Sequence, residues 1–333
     1  TPWGLWVAFD VLGGVALAAG GFIIAATVHI FHLEKYRPIL PPAILTAFIG
    51  YIMVMLGLIF DLGQPERFWH PMVMWQEHSI MFEVYWCVLF YTVVLAIEFS
   101  PAVWERLKWD RMAKLIASIT TPLVILGIIL SMLHQSSLGA LFTSISFRYA
   151  TLRYSPLLPL FFYISCVAVG IAMVTIESII ASKTGRHKGL QTDLLTGLAK
   201  VNLVVLVTYL ILRIADILVR GVWWKVFLAD TRGLLYSDEI VVGIMMPILL
   251  LSFPAVRRSV SGLFISSALV VTGVIMNRLS MALVPIVDQA YFPSWMEFSI
   301  TAAIIAFGLL LYTLATEYLP VFPEEITKPK PMV

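Results

Sequence analysis

The residues best equipped for chemistry in this chain are polar groups set inside apolar runs. His134 closes one such run in SMLHQSSLGALF, followed directly by Gln135, Ser136 and Ser137. Glu83 stands in SIMFEVYW, Asp61 opens DLGQPERFWH and Asp10 ends PWGLWVAFD. Arg213 and Asp216 are three residues apart, Asn277 and Arg278 are adjacent, and Glu177 lies in MVTIESII. A histidine exchanges protons near neutral pH, a carboxylate is a natural next station for that proton, and arginine, asparagine and hydroxyl groups donate to carbonyl oxygens. Such a set suits a small amphipathic molecule carrying two carbonyls or hydroxyls, and a quinone entering sideways from lipid fits that description. Asp10, Asp61, His134, Arg213, Asp216, Asn277 and Arg278 are therefore read as quinone-binding candidates. His134 and Glu83 are candidates for quinone protonation, and Glu83 and Glu177 for a proton path.

Each residue also has a structural reading. Arg213 and Asp216 have the i, i+3 spacing of an intrahelical ion pair. His134 at a helix end is equally an interfacial group bonded to backbone, and Asp61 before Gly63 and Pro65 is equally a turn residue. Glu177 has Thr175 and Ser178 for local hydrogen bonds, while Glu98, Glu297 and Glu317 are placed near helix ends and read as structural. What favours function is convergence, because all but Glu177 fall in one half of the membrane once the chain is oriented.

The elements that must position these groups follow from composition. Hydrophobic residues make up 60% and charged residues 13%, against about 25% charged in ordinary soluble proteins, and mean hydropathy is +0.93. The chain is an all-α polytopic membrane protein. A span needs about 20 apolar residues, and nine stretches qualify, near 4–33, 41–62, 79–100, 112–137, 156–182, 194–220, 237–254, 259–283 and 294–319. Gly139 is then expected to begin the loop after the fourth span. Thirteen Lys and Arg residues fall in one set of alternate loops and six in the other; the richer set marks the cytoplasm. Thr1 is thereby placed on the periplasmic side and the polar tail 321–333 in the cytoplasm of a bacterial inner membrane. The chain opens on Thr1 rather than Met, which points to a segment upstream, and no signal peptide is visible.

Other chemistries fit poorly. A formal charge of +2 over 333 residues gives nucleic acid nothing to hold. Cys87 and Cys166 are isolated, so no zinc site or iron–sulfur cluster is expected, and no convincing disulfide. A b-type haem needs two ligands facing one iron at similar depth, whereas His134 and His29 belong to opposite membrane halves.

The strings PWGLWVAFD, DLGQPERFWH, SIMFEVYW, EFSPAVWERL, LHQSSLGALF and AYFPSWMEF together resemble the NrfD-like, polysulfide-reductase membrane subunit family, and most nearly its branch serving periplasmic uptake NiFe hydrogenases of the Hyb type. The resemblance runs from residue 2 to about 320. It implies a subunit without haem or iron–sulfur cluster, built of two four-helix bundles plus an accessory helix: 4–33 accessory, 41–182 the first bundle and 194–319 the second, in one membrane domain over 1–320. It also implies menaquinone or another quinone as substrate, a periplasmic ferredoxin-like iron–sulfur subunit and the NiFe hydrogenase large and small subunits as partners, and membrane lipid around them. Glu83, His134 and Glu177 match positions tied to quinone and proton handling in that family, and Arg213 and Arg278 match basic positions. Hydrogenase members carry a further helix before PWG. The competing readings are the membrane subunit of a polysulfide reductase, an alternative complex III or a menaquinone reductase, a secondary transporter with polar groups at its substrate site, and a passive anchor for peripheral subunits.

Overall fold

A computed structural model describes residues 6–149, 152–184, 192–227, 231–283 and 293–322. Thr1 and the tail from residue 323 lie outside the described residues, as does the start of AYFPSWMEF. Among the described residues, nine helices are long and apolar enough to cross a membrane: α1 (Phe9–His29), α2 (Glu34–Asp61), α3 (Ile80–Arg106), α4 (Asp110–Thr143), α5 (Leu158–Lys183), α6 (Thr192–Val219), α7 (Gly233–Ser252), α8 (Val260–Ala282) and α9 (Trp295–Tyr318). The protein is an all-α, multi-pass integral membrane protein.

Local chemistry sets the helix ends. Prolines in the first turn start α2 and α5, where the missing N–H costs nothing. Ser79 caps α3, accepting from the Phe82 N–H at 3.4 Å. Ser294 and Glu297 form a reciprocal capping box at the start of α9.

The fourth helix differs most from expectation. It does not end at 137 but continues without interruption from Asp110 to Tyr149. The serines that looked like a stop signal are satisfied within the helix: the Ser136 hydroxyl donates to the Met132 carbonyl at 2.7 Å, and Thr143 to Gly139 at 3.0 Å. Gly139 begins no loop. A Cβ there would collide with the backbone of Leu158 and Pro159, so this glycine lets the start of α5 pass close to α4.

The helices form two closed four-helix bundles. Helix α1 packs on α2, α2 on α3, α3 on α4 and α4 back on α1; likewise α5, α6, α7 and α8 close a second ring. The two meet where α4 and α1 touch α5 and α1 touches α8. Helix α9 is the accessory element and lies on α2 and α1. This grouping is shifted by one helix from the one inferred from resemblance, in which the first helix stood apart. The reason is in the residues: α1 carries LGGVALAAGG, and small side chains let several helices approach closely inside a membrane. It is the most buried of the nine, 72% of its window lying inside the protein against 17% for α9.

Candidate functional site

In the first bundle, His134 on α4 has no exposed surface. Its Nδ1 lies 3.1 Å from the hydroxyl of Tyr51 on α2, and the two rings meet edge to face with centroids 5.8 Å apart. Tyr51 meets Tyr91 of α3 in the same manner at 4.7 Å. Three helices thus converge on one imidazole. His134 Nε2, both amide atoms of Gln135, Ser131 Oγ and Tyr91 Oη are buried with no hydrogen-bond partner among the described residues.

The second bundle holds a larger charged cluster, centred on Glu239 of α7. Its Oε2 accepts from Arg153 at 3.0 Å, and its Oε1 accepts from Arg213 of α6 at 2.7 Å and from Asn277 of α8 at 2.8 Å. Arg278 extends the cluster, donating to Asn277 Oδ1 at 2.7 Å, Ser165 Oγ at 2.9 Å and the Phe162 carbonyl at 3.2 Å, with its guanidinium 3.6 Å from the Phe162 ring centroid. Arg213 lies over Tyr236 at 4.9 Å. Aromatic faces favour a cation, which helps Arg153 and Arg213 share one carboxylate. A neighbouring cavity of about 10 Å³, lined by Ser165, Tyr209, Glu239 and Asn277 among others, has room for about one water molecule.

The intrahelical Arg213–Asp216 pair expected from spacing does not form. Arg213 turns across the bundle to Glu239, and Asp216 accepts from Arg220 at 2.7 Å and from Ser155 at 2.7 Å. Charges inside a bundle pair with the neighbour offering the most hydrogen bonds, and Glu239 accepts from three donors while Asp216 is one turn from its own Arg220.

The remaining acids stand apart. Asp10 of α1 accepts from Thr301 of α9 at 2.9 Å. Glu177 of α5 accepts from Thr46 of α2 and Tyr312 of α9, each at 2.7 Å and both on Oε1. Asp61 is half-buried at the end of α2, and Glu83 is exposed on the first turn of α3. Beside Glu83 an aromatic lane runs along α3, with Trp75 stacked on Trp86 at 5.6 Å and Phe90 tilted against Trp86 at 4.9 Å. The candidates therefore share one half of the molecule without forming one pocket: Arg213, Asn277 and Arg278 are brought together, whereas Asp10, Asp61, Glu83, His134 and Asp216 each have separate surroundings. Sequence reasoning missed Glu239, Arg153, Ser155 and Tyr51. The signal available for Glu239 was its place in LLYSDEIVVG, three residues after Tyr236 and just before an apolar run.

A b-type haem would need two ligands facing one iron from neighbouring helices at similar depth. His134 is enclosed by Tyr51 and the bundle core, His29 ends α1 at the opposite end of the molecule, and His70 and His78 lie between α2 and α3. Among the described residues no two histidines face each other from neighbouring helices at one depth, and no group of three His, Cys, Asp or Glu residues is placed to hold a metal. The described residues do not fit such a group.

Fold and site together define a polytopic membrane protein with a hydrogen-bonded histidine in one four-helix bundle and a buried arginine–carboxylate cluster in the other. The chain belongs to the NrfD family, whose model, described as "Polysulphide reductase, NrfD", matches residues 1–285. It is 36% identical to a protein of Nitratidesulfovibrio vulgaris (strain Hildenborough), covering 97% of this chain and 86% of the relative. It is 30% identical to the probable Ni/Fe-hydrogenase 2 b-type cytochrome subunit of Escherichia coli K12, covering 97% and 84%. It is 27% identical to the menaquinone reductase integral membrane subunit of the same N. vulgaris strain, covering 97% and 84%.

Proposed function

We propose that this chain is the quinone-reactive membrane subunit of a periplasmic oxidoreductase of the hydrogen:quinone type, receiving electrons from an iron–sulfur partner and passing them to menaquinone. The observation that carries the reading is its similarity, over nearly its whole length, to membrane subunits described as parts of a Ni/Fe hydrogenase and a menaquinone reductase. The half containing Asp61, Glu83 and His134 faces the periplasm, where the NiFe hydrogenase subunits dock through a ferredoxin-like protein. Quinone reduction consumes two electrons and two protons. The exposed aromatic lane of Trp75, Trp86 and Phe90 suits a flat ring arriving from lipid, with Glu83 beside it and His134 deeper as proton donors. Asp10, Asp61, Arg213, Asp216, Asn277 and Arg278 remain candidates for shaping the surrounding field.

Glu177 lies six residues from the end of α5 opposite that half and is the candidate for cytoplasmic proton entry, which would make turnover charge-separating. The purified complex tests this. Glu177→Gln and His134→Gln are expected to slow hydrogen uptake with a naphthoquinone acceptor and leave uptake with a soluble dye intact. Wild-type complex that reduces dye but no quinone would reject the quinone assignment, and unchanged quinone-linked rates in Glu177→Gln would reject the Glu177 relay alone.

A further inference from the structure

The hydroxyl groups bonded to Glu177, the entry carboxyl proposed above, do not include those that lead from His134. Both hydroxyls that it binds come from α2 and α9, and both bonds fall on a single carboxylate oxygen. The α1 segment between the two sites is apolar, LGGVALAAGGFIIAA. From His134 itself the polar groups lead elsewhere, through Tyr51 into α3.

We infer that Glu98 of α3 supplies protons to His134 along the buried hydroxyl groups of Tyr91, Ser131 and Tyr51. This rests on the quinone reading above but not on Glu177. The first link is the 3.1 Å contact between Tyr51 Oη and His134 Nδ1. The second is Ser131, whose hydroxyl faces that of Tyr51, with the Tyr91 ring packed edge to face against Tyr51. Ser131 precedes His134 by three residues and shares its face of α4. The Tyr91 and Ser131 hydroxyls and His134 Nε2 are buried and make no well-formed hydrogen bond among the described residues, Ser131 facing Tyr51 and Tyr91 facing the Phe22 backbone. Such buried groups are costly to leave unpaired and are natural ligands for ordered water.

Glu98 completes the line. It follows Tyr91 by seven residues, which puts the two about 20° apart around α3 and about 10 Å apart along it. Glu98 is half-buried and makes no hydrogen bond or ion pair among the described residues. The helix next to it is opened by chemistry: Pro101 cannot donate to the Ile97 carbonyl, and Ser100 Oγ takes that place at 2.8 Å. A break of this kind in the backbone ladder gives water a foothold at the end of the bundle where α3 turns into α4.

Transfer balances without net charge inside the bundle. As Nε2 of His134 releases a proton toward the quinone, Nδ1 takes one from Tyr51. The Tyr51 hydroxyl is refilled through Tyr91, Ser131 and intervening water from the Glu98 carboxyl, which is reprotonated from the α3–α4 end. The transfer leaves His134 protonated on Nδ1, so ring rotation or water must return that proton to Nε2 before the second transfer; the two electrons come from the iron–sulfur partner, and each is matched by one such proton.

The test uses the intact complex in vesicles with a short-chain naphthoquinone. Glu98→Gln and Tyr91→Phe are expected to slow quinone-linked turnover about tenfold or more and to abolish proton uptake from the compartment facing the α3–α4 end, with dye-linked hydrogen uptake unchanged. A structural determination of the wild-type complex is expected to show ordered water bonded to Tyr91 Oη and His134 Nε2. If Glu98→Gln keeps full turnover and sided proton uptake, the inference is overturned and the quinone reading stands. Failure of the wild-type complex to reduce quinone would reject both. A dry, apolar contact around Tyr91 Oη would overturn the route independently of any activity.

Discussion

At the scale of single residues, Glu239 bears the most. It is the shared acceptor for Arg153, Arg213 and Asn277, with its side chain and those of both arginines almost fully enclosed. Removing one member of a buried ion pair costs about 3–5 kcal/mol because its partners stay charged and unpaired. Glu239→Gln is therefore expected to lower the thermal unfolding temperature of the detergent-purified protein sharply, and Arg153→Met in the same chain to restore part of the loss. Glu77→Gln, a change at an exposed carboxylate, should leave the midpoint where it was. Equal midpoints for Glu239→Gln and Glu77→Gln would reject the counter-ion role. The sequence made His134, Arg213, Asn277 and Arg278 conspicuous because each interrupts an apolar run. Glu239 was not conspicuous, because the seventh span was expected to begin at 237, which would have left this carboxylate at a solvated helix end. The helix in fact begins earlier, and α7 spans Gly233–Ser252, so the same residue sits nearly two turns inside. Misplacing a helix end by a few residues was enough to hide the centre of a charged cluster.

At the scale of elements, the charged cluster depends on how closely α7 and α8 approach. Gly243 and Gly273 face each other at their crossing, and a Cβ on either would overlap the other's backbone. Gly243 is one turn from Glu239, and Gly273 is one turn from Asn277, so the crossing fixes the distance at which those two side chains bond. Valine at either glycine must push the helices apart, an overpacking change that costs about 1–3 kcal/mol. It should also break the Glu239–Asn277 contact. Gly273→Val is expected to lower the unfolding midpoint, and combining it with Asn277→Ala should cost less than the sum of the two separately, since both act on one contact. Gly63→Ala, with nothing within 4 Å of the added carbon, is the neutral comparison; a Gly273→Val protein as stable as that control would show that the crossing is loose. Hydropathy made all nine helices legible, because a span needs only length and apolarity. It could not rank their burial, and the grouping implied by resemblance set the small-residue helix α1 apart as the accessory and left α9 in a bundle. Packing is carried by side-chain size, which a hydropathy average discards.

At the scale of the whole molecule, the packing of two bundles and an accessory helix is the same whichever way the protein faces. Only the unequal distribution of basic residues distinguishes the two membrane sides. Arg106, Lys108, Arg111 and Lys114 cluster where α3 turns into α4, while the α2–α3 connection carries Arg67 alone. Positive charge is retained on the cytoplasmic side during insertion, so the proposed orientation has the α2–α3 connection, Glu83 and the aromatic lane on the periplasmic side. Single cysteines test this directly, since Cys87 and Cys166 are both buried and react slowly. With a membrane-impermeant maleimide, Glu77→Cys is expected to label in right-side-out vesicles and Arg111→Cys only after the vesicles are inverted; both positions are exposed. The reverse pattern would leave the bundles intact but move the quinone chemistry to the cytoplasmic side, and a periplasmic iron–sulfur partner could not then reach it. Glu98 would open to the periplasm, so the sign of any charge movement during turnover would reverse with it.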